Sequence, residues 1–293
     1  MTSSETAPAA GAAVPPDGVD PLRRSGGTRG LFVTLLGRYA SQGDEAIATG
    51  TYIGALALCG IKEHAARSQI TRLIERGRVL RHRQGRRTYL QLSPPMAARL
   101  QRGRRRIYEI DPTVPDWSGE WTLLTFSIPE RRRADRHRLR SRLSWDGFGP
   151  LRNGLWVAAG HRKIDGMAED LGLHDDLTAF VAQLPDHAAD RRLVAEVWDL
   201  EDLAGTYRAF LDRWRDDAEE GDAPLARHLH LLADWRGLLR AVPMLPTAVL
   251  SAEWPAAEAW ARFHELDASL APAASAQFDQ LKIAIDLPPD ARS

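Results

Sequence analysis

The chain is 293 residues long, 44% hydrophobic and formally neutral, which suits about one to three soluble domains with apolar cores of their own. A single cysteine, Cys59, excludes an intrachain disulfide framework and a cysteine-rich zinc site. No run of about 18 apolar residues predicts a membrane span, and no basic-then-apolar leader opens the chain, so a cytoplasmic protein is expected.

The neutrality hides an asymmetry. Residues 62–106 hold 13 arginines and one lysine against two acids, a net of +12. Residues 1–61 carry a net of −1, and the remainder a net of −11. Clustering of this kind is the electrostatic footprint of a polyanion partner.

In chain order, residues 1–26 read as a disordered tail. The first 21 are rich in Ala, Pro, Ser and Gly and hold too few large apolar side chains to order themselves. Arg23, Arg24 and Arg29 form a basic arm. Leu31, Phe32, Leu35, Leu36 and Tyr39 make one helical stripe, ended by residues 41–44. Thr49 or Thr51 is placed to cap a second helix with Ile53, Leu56 and Ala57 inward. Gly60 turns the chain. Ile61, Ala65, Ile70, Leu73 and Ile74 predict a third helix, and Gly77 stops it.

The other face of that third helix carries Arg67, Ser68, Gln69, Thr71 and Arg72, side-chain types that reach base edges and phosphates. Residues 79–83 and 88–92 read as strands joined by the turn Gln84-Gly85-Arg86-Arg87. Helix, helix, turn, helix and hairpin is the order of a winged helix-turn-helix. Arg67, Gln69 and Arg72 are expected at base edges, with Ser68 and Thr71 at bases or phosphates. Arg81, Arg83, Arg86 and Arg87 are expected to make wing and phosphate contacts. Residues 94–108 predict a linker helix bearing Arg99, Arg102, Arg104, Arg105 and Arg106, lying either along the DNA backbone or in a dimer contact.

Asp111-Pro-Thr-Val-Pro marks a boundary. Residues 121–128 read as a strand and 131–145 as an arginine-rich helix, which either holds a phosphate or is merely solvated. Gly147-Phe-Gly-Pro-Leu reads as a turn, and Asn153-Gly154 as a hairpin signal before a strand from Leu155. A helix at 163–171 and a strand at 178–183 complete a β-α-β-β-α-β order, which suggests a ferredoxin-like sandwich. From about Val194 the pattern is helical, over 203–214, 225–242, 256–270 and 275–285. Pro255 stands at the first position of the third of these. Trp198, Trp214, Trp235, Trp254 and Trp260 are expected in the core.

These residues together resemble the phenylacetate-catabolism repressor family, the PaaX-type transcriptional regulators. Three stretches carry the likeness: LFVTLLGRYASQGDEAI with the following helix and wing; DWSGEWTLLTFSIPERRRADRHRLRSRLSWDGFGPLRNGLWVAAG; and LARHLHLLADWRGLLRAVPMLPTAVLSAEWPAAEAW. The resemblance implies an α+β protein with an N-terminal winged helix-turn-helix, a ferredoxin-like middle domain and an α-helical C-terminal domain. Applied to this chain, the domains are a tail at 1–26, a winged helix with its linker at 27–108, a middle domain at 109–190 and a helical effector and dimerisation domain at 191–287. It further implies a homodimeric repressor on double-stranded operator DNA, released by an aryl-CoA thioester such as phenylacetyl-CoA. The third stretch departs from the family: Val242-Pro243 stands where members carry Asp-Pro, and Leu-Ser-Ala-Glu precedes Trp254.

Two rival functions fit the sequence less well. The middle domain also resembles the small ferredoxin-like protein of CRISPR spacer acquisition, a metal-dependent nuclease fold whose first strand ends in a metal-binding aspartate. Here that position is Ser127, and no nucleotide, zinc-protease or hydrolase motif occurs elsewhere. No catalytic residue, metal or cofactor is therefore expected. A single-stranded RNA reader needs aromatic platforms, and the basic stretch offers only Tyr89 and Tyr108.

Overall fold

The computed structural model describes residues 27–40, 45–109, 111–114, 116–152, 154–216 and 223–286. The tail at 1–26 with Arg23 and Arg24, the break at 41–44, Pro115 of the boundary, Asn153 of the hairpin signal and the chain after 286 lie outside them. The protein is α+β, with two four-stranded antiparallel sheets. Its described residues divide into two compact units. One takes residues 112–208 and 240–257; the other takes the chain before 112 together with 209–239 and 258–286.

The second of these units begins with helix α1 (Thr28–Tyr39), strand β1 (Glu45–Ala48), helices α2 (Thr49–Leu58) and α3 (Glu63–Glu75), the hairpin β2 (Val79–Gln84) and β3 (Arg87–Leu92), and helix α4 (Pro94–Tyr108). Neither threonine caps α2. The cap residue is Ala48, because the helix starts directly from β1, a strand too short to be legible as a pattern. Thr49 Oγ1 donates instead to the Thr88 carbonyl at 3.2 Å, and Thr51 Oγ1 to the Leu281 carbonyl at 3.0 Å.

The other unit holds β4 (Glu120–Phe126), α5 (Arg133–Trp145), β5 (Gly149–Arg152), β6 (Leu155–Ala159), α6 (Asp165–Leu171), β7 (Leu177–Gln183) and α7 (His187–Val197). Its sheet runs β5-β6-β4-β7. Leu124, Leu139, Leu143, Phe148, Trp156 and Met167 bury one face of that sheet against α5 and α6. The Gly147-to-Leu151 stretch is only partly a turn. Gly147 is left-handed at φ 85°, but Gly149 already lies in β5. A Cβ on Gly149 would sit 2.2 Å from Val197 Cγ1 and 2.7 Å from Trp198 Cε2. Gly149→Ala is therefore expected to lower stability by about 1–3 kcal/mol through overpacking, read as a lower urea midpoint.

Helix α8 (Leu200–Arg213) is followed by α9 (Pro224–Ala241), α10 (Ala256–Leu281) and β8 (Ala284–Asp286). The sequence pattern suggested a break after 270 and a final helix over 275–285. Instead α10 runs unbroken through Pro272. A proline costs a helix one hydrogen bond and a clash, but burial of Ala274 and Phe278 beyond it holds the helix together. Residues 284–286 are extended because they pair with β1, Ala46 opposite Ile285. The resulting sheet order is β2-β3-β1-β8.

A core shared with the late helices seats α1–α4. Leu31, Phe32, Leu35, Ile47, Tyr52, Leu56, Ile70, Leu90 and Leu100 cluster with Leu225, Leu229 and Ala233 of α9 and with Ala274 and Phe278 of α10. Of the five tryptophans expected inside, Trp198, Trp214 and Trp235 are buried, while Trp254 and Trp260 are half-buried.

Candidate nucleic-acid interface

Helix α3 is amphipathic. Ala66 and Ile70 are buried, and Ile61, Leu73 and Ile74 are packed beside them. Gly60 and Gly77 fix its two ends in left-handed conformations. At the second, the Arg78 N–H donates to the Leu73 carbonyl and the Gly77 N–H to the Ile74 carbonyl, each at 2.9 Å. This is the Schellman arrangement that ends a helix sharply and leads straight into β2.

Arg67, Ser68, Thr71 and Arg72 are all exposed, at the i, i+1, i+4, i+5 spacing that shares one helix face. Gln69 is half-buried, off the centre of that face. His64, absent from the sequence-predicted set, is exposed at the same helical phase; its spacing of three from Arg67 was the available signal. Arg67 is not free. It pairs with Glu63 at 2.6 Å, with both side chains more than 60% exposed, and its carbonyl accepts the Thr71 hydroxyl at 3.1 Å. A surface i, i+4 pair contributes only about 0.3–0.5 kcal/mol, little enough for a phosphate or a guanine to displace.

The hairpin is in register from Val79↔Leu92 to Gln84↔Arg87. Gly85 has φ 58° and Arg86 is not left-handed, the pattern of a two-residue turn with glycine first. Alternation along the strands puts Arg81 and Arg83 on the face that holds Val79, Leu90 and Leu92, and Arg87 on the opposite face. All four wing arginines are exposed. Neither they nor Arg72 meet a carboxylate among the described residues.

Helix α4 extends the cationic surface. Arg99, Arg102, Arg104 and Arg105 are exposed, whereas half-buried Arg106 donates to the Leu239 carbonyl at 3.0 Å and is committed to the protein. Four arginines on or beside α5 of the other unit behave differently. Arg132 pairs with Asp135 and Asp176, Arg136 with Glu130, Arg138 with Asp135, and Arg142 with Asp146 and Asp170.

The aromatic residues of the basic stretch are not stacking platforms. Tyr89 is 5% exposed, and the Tyr108 hydroxyl donates to Asp267 at 3.2 Å. Asp267 also accepts from His228 Nε2 at 2.8 Å, and His228 Nδ1 faces the Tyr39 hydroxyl at 3.3 Å. His228 is thus a fully buried, satisfied histidine of the core. Burial pushes the Tyr39 hydroxyl up to about 12. A cavity of about 240 Å³ opens beside this cluster, lined by Arg38, Arg104, Tyr108, Glu109 and Asp267. Half-buried Cys59 bonds the Ala55 carbonyl through Sγ at 3.6 Å, and burial lifts its thiol to about 11, so it is not a poised nucleophile.

Together these features define an α+β protein with an unneutralised arginine surface on one helix, one hairpin and the helix that follows. The chain belongs to the PaaX family. Family models match in chain order: "PaaX-like protein" at residues 27–95, "PaaX protein central Cas2-like domain" at 114–194 and "PaaX-like protein C-terminal domain" at 198–280. It is 28% identical over 239 residues to the transcriptional repressor PaaX of Escherichia coli K12, covering 76% of this chain and 74% of that protein. The solved structure of the uncharacterised protein Rv0674 from Mycobacterium tuberculosis superposes with a TM-score of 0.58 at 27% identity, covering 84% of this chain and 95% of that one. No helix among the described residues is long and apolar enough to cross a membrane.

Proposed function

We propose that the protein is a sequence-specific, DNA-binding transcriptional repressor of the cytoplasm, and not an enzyme. In this reading residues 27–108 are a winged helix-turn-helix with its linker helix, residues 109–190 a ferredoxin-like domain, and residues 191–287 a helical effector and dimerisation domain. The carrying observation is the contrast between two sets of arginines. Arg132, Arg136, Arg138 and Arg142 of the other unit are paired with carboxylates, whereas Arg72, Arg81, Arg83, Arg86 and Arg87 stand exposed with no carboxylate partner among the described residues. Exposed, unneutralised guanidinium groups on a helix and a hairpin suit a duplex whose phosphates supply affinity and whose major groove admits a helix. The sheet order β5-β6-β4-β7 supports the ferredoxin-like assignment.

On the operator, Arg67, Gln69 and Arg72 reach base edges, and Ser68 and Thr71 reach bases or phosphates. Arg67 leaves Glu63 to do so. Two copies read two half-sites about one helical turn or a multiple of it apart. The effector is an aryl-CoA thioester such as phenylacetyl-CoA, which releases DNA by binding the non-DNA-binding state better.

Fluorescence anisotropy on the DNA upstream of the protein's own gene tests this. Tight, salt-sensitive binding that phenylacetyl-CoA abolishes is expected. Arg67→Ala should lose about 1–3 kcal/mol of discrimination between that DNA and random duplex. Equal affinity of the wild-type protein for both duplexes would refute the repressor reading, and binding indifferent to every thioester would refute the effector alone.

A further inference from the structure

The cavity of about 240 Å³ beside His228 is lined by side chains of both charge signs. Arg38 comes from the last turn of α1, Arg104 and Tyr108 from α4, Glu109 from the residue that caps α4, and Asp267 from α10. Two guanidinium groups and two carboxylates therefore share one space. Opposite charges brought this close in a fold commonly close into ion pairs. These do not. Among the described residues Arg38 and Arg104 meet no carboxylate, and neither Asp267 nor Glu109 meets an arginine or a lysine.

The floor of the cavity is fixed, and its walls have bonding capacity to spare. Asp267 Oδ1 accepts from the Tyr108 hydroxyl at 3.2 Å and from His228 Nε2 at 2.8 Å, which holds the carboxylate in one orientation. Its Oδ2 accepts from no group among the described residues. The Arg38 guanidinium lies over the Tyr39 ring at 5.3 Å, and its Nε is buried with no hydrogen-bond partner among the described residues. A buried donor without an acceptor is costly, so an acceptor oxygen beside Arg38 would be stabilising. Arg104 and Glu109 are exposed and stand at the rim.

We infer that this cavity is a binding site for a small zwitterion, an α-amino acid, whose carboxylate bridges Arg38 and Arg104 and whose ammonium group sits between Asp267 Oδ2 and Glu109. Charge selects a zwitterion over a plain anion. A simple carboxylate satisfies the arginines but sets its own charge beside two others of the same sign, and the more highly charged phosphate meets that repulsion more strongly. Size agrees. At about 30 Å³ per water the cavity replaces roughly eight waters, and it is small against the roughly 300–1,000 Å³ of sites that hold drug-sized ligands. No residue of α3 or of the wing lines it, so the inference goes beyond the repressor reading and does not rest on it.

Isothermal titration calorimetry of the full chain without DNA tests the site, with each common amino acid and inorganic phosphate titrated singly. At least one amino acid should bind with a Kd of about 1 mM or tighter. The acid lacking its amino group and the amine lacking its carboxylate should each bind at least about tenfold more weakly, the scale of one charge-assisted hydrogen bond. Arg104→Gln and Glu109→Gln should each weaken the amino acid by a similar factor. Both replaced side chains are exposed, so the melting curves of the two variants without ligand should match wild type. Undiminished binding in either variant would overturn the inference. So would a wild type that gives no saturable binding with any amino acid up to about 10 mM, or one that binds phosphate more tightly than all of them, which would make the cavity a site for simple anions.

Discussion

Phe278→Ala is expected to destabilise the unit that carries helix α3 by about 3–5 kcal/mol, although Phe278 lies some two hundred residues further along the chain. Its ring is 1% exposed and stacks on Tyr39 of α1 with centroids 4.4 Å apart. It belongs to the same cluster as Leu31, Leu35 and Leu56 and as Ile70, the buried side chain by which α3 is seated. The last strand reinforces the tie. The Ala48 N–H donates to the Ile283 carbonyl at 2.8 Å, the Ile283 N–H donates to Thr51 Oγ1 at 3.1 Å, and Lys282 pairs with Glu45 at 2.6 Å. Urea denaturation should show the loss as a lower midpoint with an unchanged slope. Phe180→Ala, at an exposed site, should shift the midpoint little. By the same reasoning, residues 27–108 expressed alone should not unfold cooperatively, since Leu225, Leu229, Ala274 and Phe278 would be missing from their core. A Phe278→Ala midpoint equal to wild type would mean that α10 is not part of the fold that positions α3.

That dependence is where sequence reading stopped short. Helices α1, α3 and α4, the stop at Gly77 and the hairpin register are local matters, fixed by periodicity and by glycine conformation, and they were legible residue by residue. So was the β-α-β-β-α-β order of the other unit, but not α7 after it, which starts at His187, ahead of the helical pattern read from Val194. Strands β1 and β8 were not. Four and three residues long, they carry no periodic signal of their own, and each is extended because the other, with β3, satisfies its backbone. The unbroken α10 was hidden for a related reason: Pro272 signals a stop locally, and only the burial of Ala274 and Phe278 overrides it. At the candidate interface the exposed residues were readable as one helix face. The Glu63–Arg67 pair was visible as an i, i+4 spacing, but the commitment of Arg106 to the Leu239 carbonyl depends on a neighbour distant in sequence.

Replacing Arg81, Arg83, Arg86 and Arg87 together with alanine is expected to make the salt dependence of DNA binding shallower by about three to four in the slope of log affinity against log salt, at about 0.9 per phosphate contact. The fold should survive the change. All four side chains are exposed, while the hairpin is held by its backbone register and by buried Val79, Leu90 and Leu92. Affinity should fall on every duplex alike, so the ranking of operator over random DNA should persist. Arg67→Ala should do the reverse, narrowing that ranking while leaving the slope nearly intact, because a base contact carries sequence information and a phosphate contact carries none. The wing also offers a finer test. Arg81 and Arg83 lie on one face of the hairpin and Arg87 on the other, so a wing that straddles the phosphate backbone should lose slope from both faces. The Arg81/Arg83 double variant and the Arg87 variant are each expected to reduce it. A slope unchanged in the quadruple variant would remove the wing from the interface and leave α3 and the exposed arginines of α4 to account for the binding.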